Sequence, residues 1–229
     1  MQLRKGCGVI ELLAFDVYGT LYDLNSLASA LKEVVPEPQE FLRVWRAKQL
    51  EYTHLLSLME RYENFWVVTE WALRYTARRF GVSLDRQQER RLMEAWLNLR
   101  PHEDAVEALP ELARRFRLVA LTNGDRGMVD ELLRNTGLRK HFTELLSAEM
   151  VRVYKPSPRV YGLVDRFGVA RSEVGFVSSN PWDLAGAGAA GLFTVYLNRY
   201  NLPMEELGVE ARIEVRDLKE LAEVLQHRP

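Results

Sequence analysis

The feature that most constrains the fold is an alternation of short apolar runs with helical segments in the second half of the chain. Apolar runs of four or five residues stand at 118–121, 174–177 and 193–197, and residues with helical periodicity separate them. Such short, continuous runs are typical of buried strands, and strands joined through helices pair in parallel. With shorter strands at 145–147 and 213–215 and a closing helix at 218–226, the pattern predicts an α/β fold with a doubly wound parallel sheet.

An earlier apolar run, Val9-Ile10 followed by residues 12–15, predicts a first strand that ends at Asp16. The carboxyl edge of such a sheet is where ligands bind in open α/β folds. Gly19 permits a sharp turn just beyond the strand, and the Thr20 hydroxyl can hold that turn. Asp16 is therefore a candidate nucleophile. On this stretch alone, an aspartate that only caps a turn is an equally good interpretation.

From residue 22 to residue 98 the periodicity is helical throughout. Helices are predicted at 26–35, 40–61, 64–80 and 85–98, with Pro36 and Pro38 ending the first, Gly81 ending the third and Ser83 capping the fourth. Each helix carries its own apolar stripe, which predicts a bundle. The predicted domains are an α/β core of residues 1–21 and 99–229, and a four-helix cap of residues 22–98 inserted after the first strand.

Composition excludes several classes of protein. The 229-residue chain is 47% hydrophobic with a net charge of −1, so no basic excess points to a nucleic acid partner. Cys7 is the single cysteine, and no apolar run approaches the roughly 18 residues that span a membrane. We expect a cytoplasmic protein with no membrane partner. The 25 arginines against six lysines are compatible with a thermophilic source or with a GC-rich genome.

Polar segments follow the later strands or open the next helices, and we expect them to converge on Asp16. They are Thr122-Asn123, Lys155 and residues 178–183. Just after Lys155, Ser157 and Pro158 start a predicted helix that runs to Phe167 and ends at Gly168. In the last segment Asn180 caps a predicted helix whose first residue is Pro181. Simpler interpretations remain open for several of these residues. Thr122 and Asn123 can be ordinary caps, and Asp183 can serve only the helix dipole.

Two other patterns carry less. Residues 186–191 fit G-x-G-x-x-G, but they lie inside a predicted helix, whereas a dinucleotide loop follows a strand. Small residues there are expected to let the helix approach the sheet. The four histidines, which include His227, have no metal-ligand spacing.

The four polar segments together resemble the four signature motifs of the haloacid dehalogenase superfamily, over nearly the whole chain. Most members are magnesium-dependent phosphatases with a second aspartate two residues after the nucleophile. Here that position is Tyr18, which is no proton donor at neutral pH. In place of magnesium-binding carboxylates the fourth segment has Ser178, Ser179 and Asn180, so only Asp183 could join Asp16 at a metal.

The L-2-haloacid dehalogenase branch of that superfamily is similar in the same residues. The similarity includes the stretch 16–21, the segments 154–156 and 176–183, and a helical segment, 46–53, in the predicted cap. Arg46 and Leu50 are four residues apart and share one helical face. Where the branch usually has a polar residue after the arginine, this chain has Ala47, which is expected to leave Arg46 with one fewer partner.

The resemblance implies hydrolysis of short L-2-haloalkanoic acids to D-2-hydroxy acids with inversion and without metal or cofactor. Asp16 is expected to attack C2 and form an ester while halide leaves. Arg46 and Asn123 are the expected halide site, and Thr122 and Ser178 the expected contacts of the substrate carboxylate.

The same resemblance implies roles for the remaining residues. Lys155 is expected to balance the negative charge of Asp16 and Asp183, and Asp183 with Asn180 to position the water that hydrolyses the ester. The residues expected to line or flank the pocket are Tyr18, Leu50, Phe65, Tyr161 and Trp182, and Thr20 is expected to hold the nucleophile turn. A homodimer is expected as well. A magnesium-dependent phosphatase and a non-catalytic relative that binds a carboxylate remain the alternatives.

Overall fold

The computed structural model describes residues 9–226, and its centre is a six-stranded sheet in which every neighbouring pair is parallel. The strands of this sheet are β1 (Leu12–Phe15), β4 (Arg117–Thr122), β5 (Glu144–Ser147), β6 (Val174–Ser178), β7 (Phe193–Leu197) and β8 (Ile213–Val215). The helices that precede, connect or follow these later strands are α5 (Glu103–Arg115), α6 (Arg126–Asn135), α7 (Pro158–Tyr161), α8 (Pro181–Ala189) and α9 (Leu218–Gln226). The predicted α/β fold with a parallel sheet is confirmed.

The strand order is β5-β4-β1-β6-β7-β8, so the chain builds outward from β1 on one side and then on the other. All four residues of β1 are buried, as expected for a central strand covered on both faces. The order reverses at β1, and this switch point opens a crevice at the carboxyl end of the strand. Asp16 follows β1 directly and lies in that crevice.

Helices fill the stretch between β1 and β4 that was predicted to form the cap. They are α1 (Ala28–Leu31), α2 (Pro38–Leu58), α3 (Phe65–Arg79) and α4 (Arg86–Glu94), and α2 packs along α3. A short antiparallel pair that the sequence did not reveal, β2 (Tyr22–Asp23) with β3 (Arg100–Pro101), joins the two ends of this stretch. The domain boundaries themselves stay a prediction.

Several local predictions were wrong. The helix predicted at 26–35 is a 3₁₀ turn, Leu24–Leu27, followed by the single turn of α1, because two valines and Pro36 disfavour helix beyond it. Pro38 begins α2 at its first position instead of ending a helix. Asp85, not Ser83, caps α4, through a capping box with Gln88.

Two further helix predictions were too long, and one strand prediction began too early. The helix expected up to Phe167 is α-helical only over α7 and then tightens into a 3₁₀ segment, Gly162–Phe167. The fourth helix similarly ends in a 3₁₀ turn, Ala95–Leu97. Val9 is exposed and precedes β1. Cys7 and His227 lie outside the described residues.

The glycine-rich segment 186–191 behaves as predicted. It lies at the end of α8 and does not form a loop after a strand. A Cβ added at Gly186 would come within 2.5 Å of the Tyr161 Oη, so the small residue permits a close approach beside the site. Within residues 9–226, no helix is long and apolar enough to cross a bilayer.

Candidate active site

The Asp16 carboxylate is the point on which the strand-end segments converge. It is 6% exposed, and it accepts hydrogen bonds from Lys155 Nζ at 3.1 Å, Thr20 Oγ1 at 2.8 Å and Asn180 Nδ2 at 2.8 Å. Lys155 contacts Oδ1, whereas Thr20 and Asn180 both contact Oδ2. One carboxylate oxygen is therefore held by two donors, and the other keeps a lone pair free for a reactant.

Lys155 joins Asp16 to a second carboxylate. Its Nζ also donates to Asp183 Oδ2 at 2.8 Å, and all three side chains are buried. Tyr161 donates its hydroxyl to Asp183 Oδ1 at 2.7 Å, and Ser178 Oγ lies 3.3 Å from Oδ2. Asp183 is thus more than a residue that serves the dipole of α8. Burial raises its pKa to about 6, although the ammonium of Lys155 acts in the opposite direction.

The turn after β1 is braced from outside the site. Gly19 has a φ of +86°, and the Thr20 hydroxyl accepts the Ser179 N–H at 2.9 Å while it donates to Asp16. The guanidinium of Arg199 donates to the Thr20 carbonyl oxygen and pairs with Asp104 at 2.7 Å. Arg199 has no place in the predicted motifs.

The second and third polar segments hold each other. Asn123 Oδ1 accepts the Lys155 N–H at 2.9 Å, and within residues 9–226 the Asn123 amide group donates no hydrogen bond. Thr122 Oγ1 accepts the Gly124 N–H at 3.1 Å and so closes its own turn. This contact is the capping interpretation of Thr122, and its contact with a substrate carboxylate stays a prediction.

Asn180 occupies the N-cap position of α8, as predicted, but its side chain makes no capping hydrogen bond. Its amide nitrogen donates to Asp16 and, at 3.2 Å, to the Tyr18 carbonyl oxygen. The Ser178 hydroxyl accepts the Asn180 N–H at 3.1 Å and so takes up one of the first amides of α8. Both hydrogens of the Asn180 amide are directed toward the nucleophile turn.

Tyr18, at the position where a phosphatase has its acid, lies in an aromatic cluster. Its ring stacks on Phe65 with centroids 5.7 Å apart and meets Trp96 edge to face at 5.5 Å. Its hydroxyl is buried without a partner in residues 9–226, and burial raises its pKa further above the usual value. This environment suits a residue that lines the crevice and does not suit a proton donor.

Arg46 reaches the crevice from α2. Burial lowers the pKa of Arg46, whereas the negative charges of Asp16 and Asp183 act to raise it. The guanidinium therefore interacts electrostatically with both carboxylates. It donates to Gln49 Oε1 at 2.5 Å, and Gln49 donates to Thr69 Oγ1 on α3 at 2.6 Å. Ala47 is exposed and Gln49 supplies the contact of Arg46, so the expectation that Ala47 costs Arg46 a partner stays a prediction.

Leu50 and Trp182 are half-buried, and Trp182 contacts a histidine that is not among the predicted site residues. His54 lies edge to face against Trp182 with centroids 5.4 Å apart, and its Nε2 is buried without a partner in the described part of the chain. Burial and the charge of Arg46 lower the pKa of His54. Its spacing of eight residues from Arg46 and four from Leu50 on one helix was the signal that could have found it.

Among residues 9–226, no group of three or more histidine, cysteine, aspartate and glutamate side chains could hold a metal ion. The Lys155 ammonium bridges the two carboxylates that would be a cation's first ligands. The arrangement instead offers a carboxylate nucleophile, a paired second acid, and a guanidinium on the opposite wall. It suits displacement of a leaving group that departs as an anion without a proton.

Comparison with known proteins agrees with this chemistry. A family model of haloacid dehalogenase-like hydrolases matches residues 10–191. The (S)-2-haloacid dehalogenase of Pseudomonas sp. strain YL is 42% identical over 220 residues, which is 95% of each chain. The haloacetate dehalogenase H-2 of Moraxella sp. strain B is 40% identical over 202 residues, 87% of this chain and 90% of that protein.

A solved structure extends the likeness to the fold. The L-2-haloacid dehalogenase of Xanthobacter autotrophicus with chloropropionic acid covalently bound superposes with a TM-score of 0.89 at 32% identity. The match covers 96% of this chain and all of that one. The chain therefore belongs to the haloacid dehalogenase-like hydrolases and, within them, to the L-2-haloacid dehalogenase branch.

Proposed function

We propose that this protein hydrolyses short L-2-haloalkanoic acids to D-2-hydroxy acids. The observation that carries the proposal is the buried pair of Asp16 and Lys155 with Tyr18, not an acid, two residues after the nucleophile. When a phosphate ester is cleaved, its alcohol leaves as an alkoxide that needs a proton, whereas a halide leaves as a stable anion. This site supplies a nucleophile and positive charge but no proton donor at that position.

In the first step Asp16 Oδ1 attacks C2 of the substrate, a carbon–oxygen bond forms, and the carbon–halogen bond breaks with inversion. Oδ1 is the attacking oxygen because it accepts only the Lys155 hydrogen bond. The guanidinium of Arg46 and the free amide group of Asn123 stabilise the departing halide. Thr122 and Ser178 lie at the strand ends where the substrate carboxylate binds.

In the second step water attacks the carbonyl carbon of the Asp16 ester and regenerates the carboxylate. The carbonyl oxygen of that ester is Oδ2, and the Thr20 hydroxyl and the Asn180 amide already donate to it. These two donors therefore stabilise the oxyanion of the tetrahedral intermediate. Asp183 takes a proton from the attacking water, with Lys155 and Tyr161 holding its carboxylate in place. The bond between the Asp16 carboxyl carbon and Oδ1 then breaks, Asp183 returns the proton to the departing oxygen, and the D-2-hydroxy acid is released. The regenerated carboxyl group of Asp16 loses the second proton of the water to solvent.

Apolar walls keep bulk water from the ester. Tyr18 and Phe65 form a stacked pair at the crevice, and Leu50 and Trp182 complete the wall beside Arg46. Apolar walls with a few polar groups suit a short alkyl chain.

The test is halide release from the two enantiomers of 2-chloropropionate, with and without EDTA. We expect release from the L-enantiomer only, no effect of EDTA, and a loss of at least about 10⁴-fold in Asp16→Asn. The same samples are offered p-nitrophenyl phosphate. Phosphate release that EDTA abolishes would identify a phosphatase, and turnover of neither substrate would identify a non-catalytic relative.

We also infer a cytoplasmic homodimer assembled through the cap helices. Exposed apolar side chains on and just beyond α2, together with Trp71 on α3, support a contact surface there; those near the end of α2 are Leu55, Leu58 and Met59. Light scattering of the purified protein measures its mass, and a monomer in solution would contradict the inference. The arginine excess is compatible with a thermophilic source, which a thermal unfolding curve tests.

A further inference from the structure

Asp125 occupies a position that its own helix does not explain. It is the N-cap residue of α6, yet its side chain makes no capping hydrogen bond to α6. Its two carboxylate oxygens instead accept the N–H groups of Phe65 and Trp66, each at 2.8 Å, at the start of α3. Glu149 accepts the Arg126 N–H at 3.0 Å in its place. An aspartate normally caps the helix that follows it, so this arrangement calls for a reason outside α6.

A continuous series of hydrogen bonds leads from this contact to Arg46. The Phe65 carbonyl oxygen accepts the Thr69 hydroxyl at 2.6 Å, and Thr69 Oγ1 accepts the Gln49 amide at 2.6 Å. Gln49 Oε1 in turn accepts the Arg46 guanidinium at 2.5 Å. Gln49 and Thr69 are fully buried, so water does not compete for these contacts.

The same contact also fixes the aromatic wall. Phe65 stacks on Tyr18, and Gly124 beside Asp125 lies close to the Tyr18 ring, where an added Cβ would come within 2.8 Å. Asn123, one residue earlier, holds the Lys155 backbone. The segment 123–125 thus contacts the backbone of Lys155 on one side and α3 on the other.

The position of Arg46 relative to Asp16 depends on how α2 and α3 dock, because the two residues lie on different parts of the fold. Tyr154 supplies two other links, from its N–H to Ser57 Oγ at 3.1 Å and from its hydroxyl to the Glu63 carbonyl oxygen at 2.5 Å. The Asp125 contact differs from these because it ends at the first residue of the series that leads to Arg46.

We propose that Asp125 is a positioning residue for the reaction. Its carboxylate attaches the first turn of α3 to the strand-end segment and, through Phe65, Thr69 and Gln49, sets the place of the Arg46 guanidinium opposite Asp16. The contact is strong because two N–H groups that lack partners at a helix start meet one anionic group. The inference rests on the proposed function for the part that concerns rate.

The test compares Asp125→Asn with Asn64→Ala. The asparagine is the same size, but its NH₂ group faces one of the two N–H donors. Asn64 caps the same helix end by accepting the Val67 N–H at 2.9 Å, and it makes no contact in this series, so its variant is the matched control. We expect kcat on L-2-chloropropionate to fall about 10- to 100-fold in Asp125→Asn with a smaller change in KM. We expect Asn64→Ala to stay within about twofold of the parent protein.

Two measurements separate positioning from general loss of structure. If the effect travels through the series, Thr69→Val reproduces the fall in kcat, and the double variant Asp125→Asn/Thr69→Val is no slower than either single one. If the two reductions in kcat multiply in the double variant, or if Asn64→Ala loses as much kcat as Asp125→Asn, the proposal is overturned.

Hydrogen exchange at the Phe65 and Trp66 amides reads the contact without any activity. We expect these two amides to exchange at least tenfold faster in Asp125→Asn, whereas unchanged exchange would overturn the contact itself. If the parent protein releases no halide, the proposed function fails and the exchange experiment still decides the contact.

Discussion

The two walls of the site differ in how completely their charged groups are paired. At the strand ends, the oxygens of Asp16 and Asp183 and the ammonium of Lys155 all have partners before any substrate arrives. On the helical wall Arg46 contacts only the neutral Gln49, no carboxylate in residues 9–226 pairs with it, and the buried Nε2 of His54 has no partner there.

This difference assigns separate tasks to the two walls. Groups that are paired in advance need little rearrangement during reaction, which favours a fixed nucleophile and oxyanion site. Buried polar groups without partners are costly, and they are retained where a ligand supplies the partner. We infer that the strand ends carry the bond-making atoms, and that Arg46 on the helical wall receives the anion together with the Asn123 amide.

The largest effect is expected from breaking the paired wall at Lys155. Lys155→Met leaves Asp16 and Asp183 buried beside each other without a cation, so we expect loss of activity and a fall of about 3–5 kcal/mol in the free energy of unfolding. Urea denaturation measures the second quantity. Lys48→Met is the control, because Lys48 pairs with Glu51 at the surface and little stability should be lost. Equal effects of the two substitutions would contradict a paired wall.

A pH profile separates the two walls next. The pKa of Asp183 is raised to about 6 by burial, so its base form is lost as the pH falls through about 6, and we expect kcat to decline below that value. Its effect on stability has the opposite sign. The folded protein holds this proton more tightly than the unfolded chain, so the stability this group contributes below pH 4 is lost as the pH rises through about 6. A kcat that stays constant from pH 7 to pH 4.5 would exclude Asp183 as the base.

A smaller effect is expected on the unpaired wall, from His54→Phe. The phenyl ring keeps the edge-to-face contact with Trp182 and removes a buried polar atom without a partner, so stability should rise by about 1 kcal/mol. If a bound substrate uses Nε2, KM for L-2-chloropropionate should rise severalfold. Lower stability with an unchanged KM would mean that Nε2 is already paired in the free protein.

The smallest effect is expected from Ala47→Gln. The side chain at position 47 is exposed, and Gln49 already holds Arg46, so we expect kcat and KM to change less than about twofold. Steady-state kinetics on chloro- and bromopropionate measure this. A clear change in substrate range would mean that position 47 faces the pocket.

The paired wall could be predicted from sequence because it follows from strand ends. Apolar runs placed β1, β4 and β6, and parallel strands bring the residues at their carboxyl ends to one edge. The contacts of Asp16 with Lys155 and Asn180 are the outcome.

Helix ends were predicted less well, because a single better N-cap residue, such as Asp85 in α4, decides where a helix begins.

The unpaired wall could be predicted only in part. The spacing of Arg46 and Leu50 gave the face of α2, but the contacts of Gln49 with Thr69 and of Asp125 with Phe65 depend on how separate helices dock. No periodicity within one segment encodes such a contact.

The bracing of the nucleophile turn by Arg199 has a consequence for how the chain can be shortened. The family match ends at residue 191, before the last two strands, β7 and β8, and the last helix, α9. Yet Arg199 holds the Thr20 carbonyl oxygen, and its partner Asp104 accepts the Leu218 N–H at the start of α9. The C-terminal segment therefore supports the catalytic turn as well as the sheet, and a truncation before Arg199 would remove both supports.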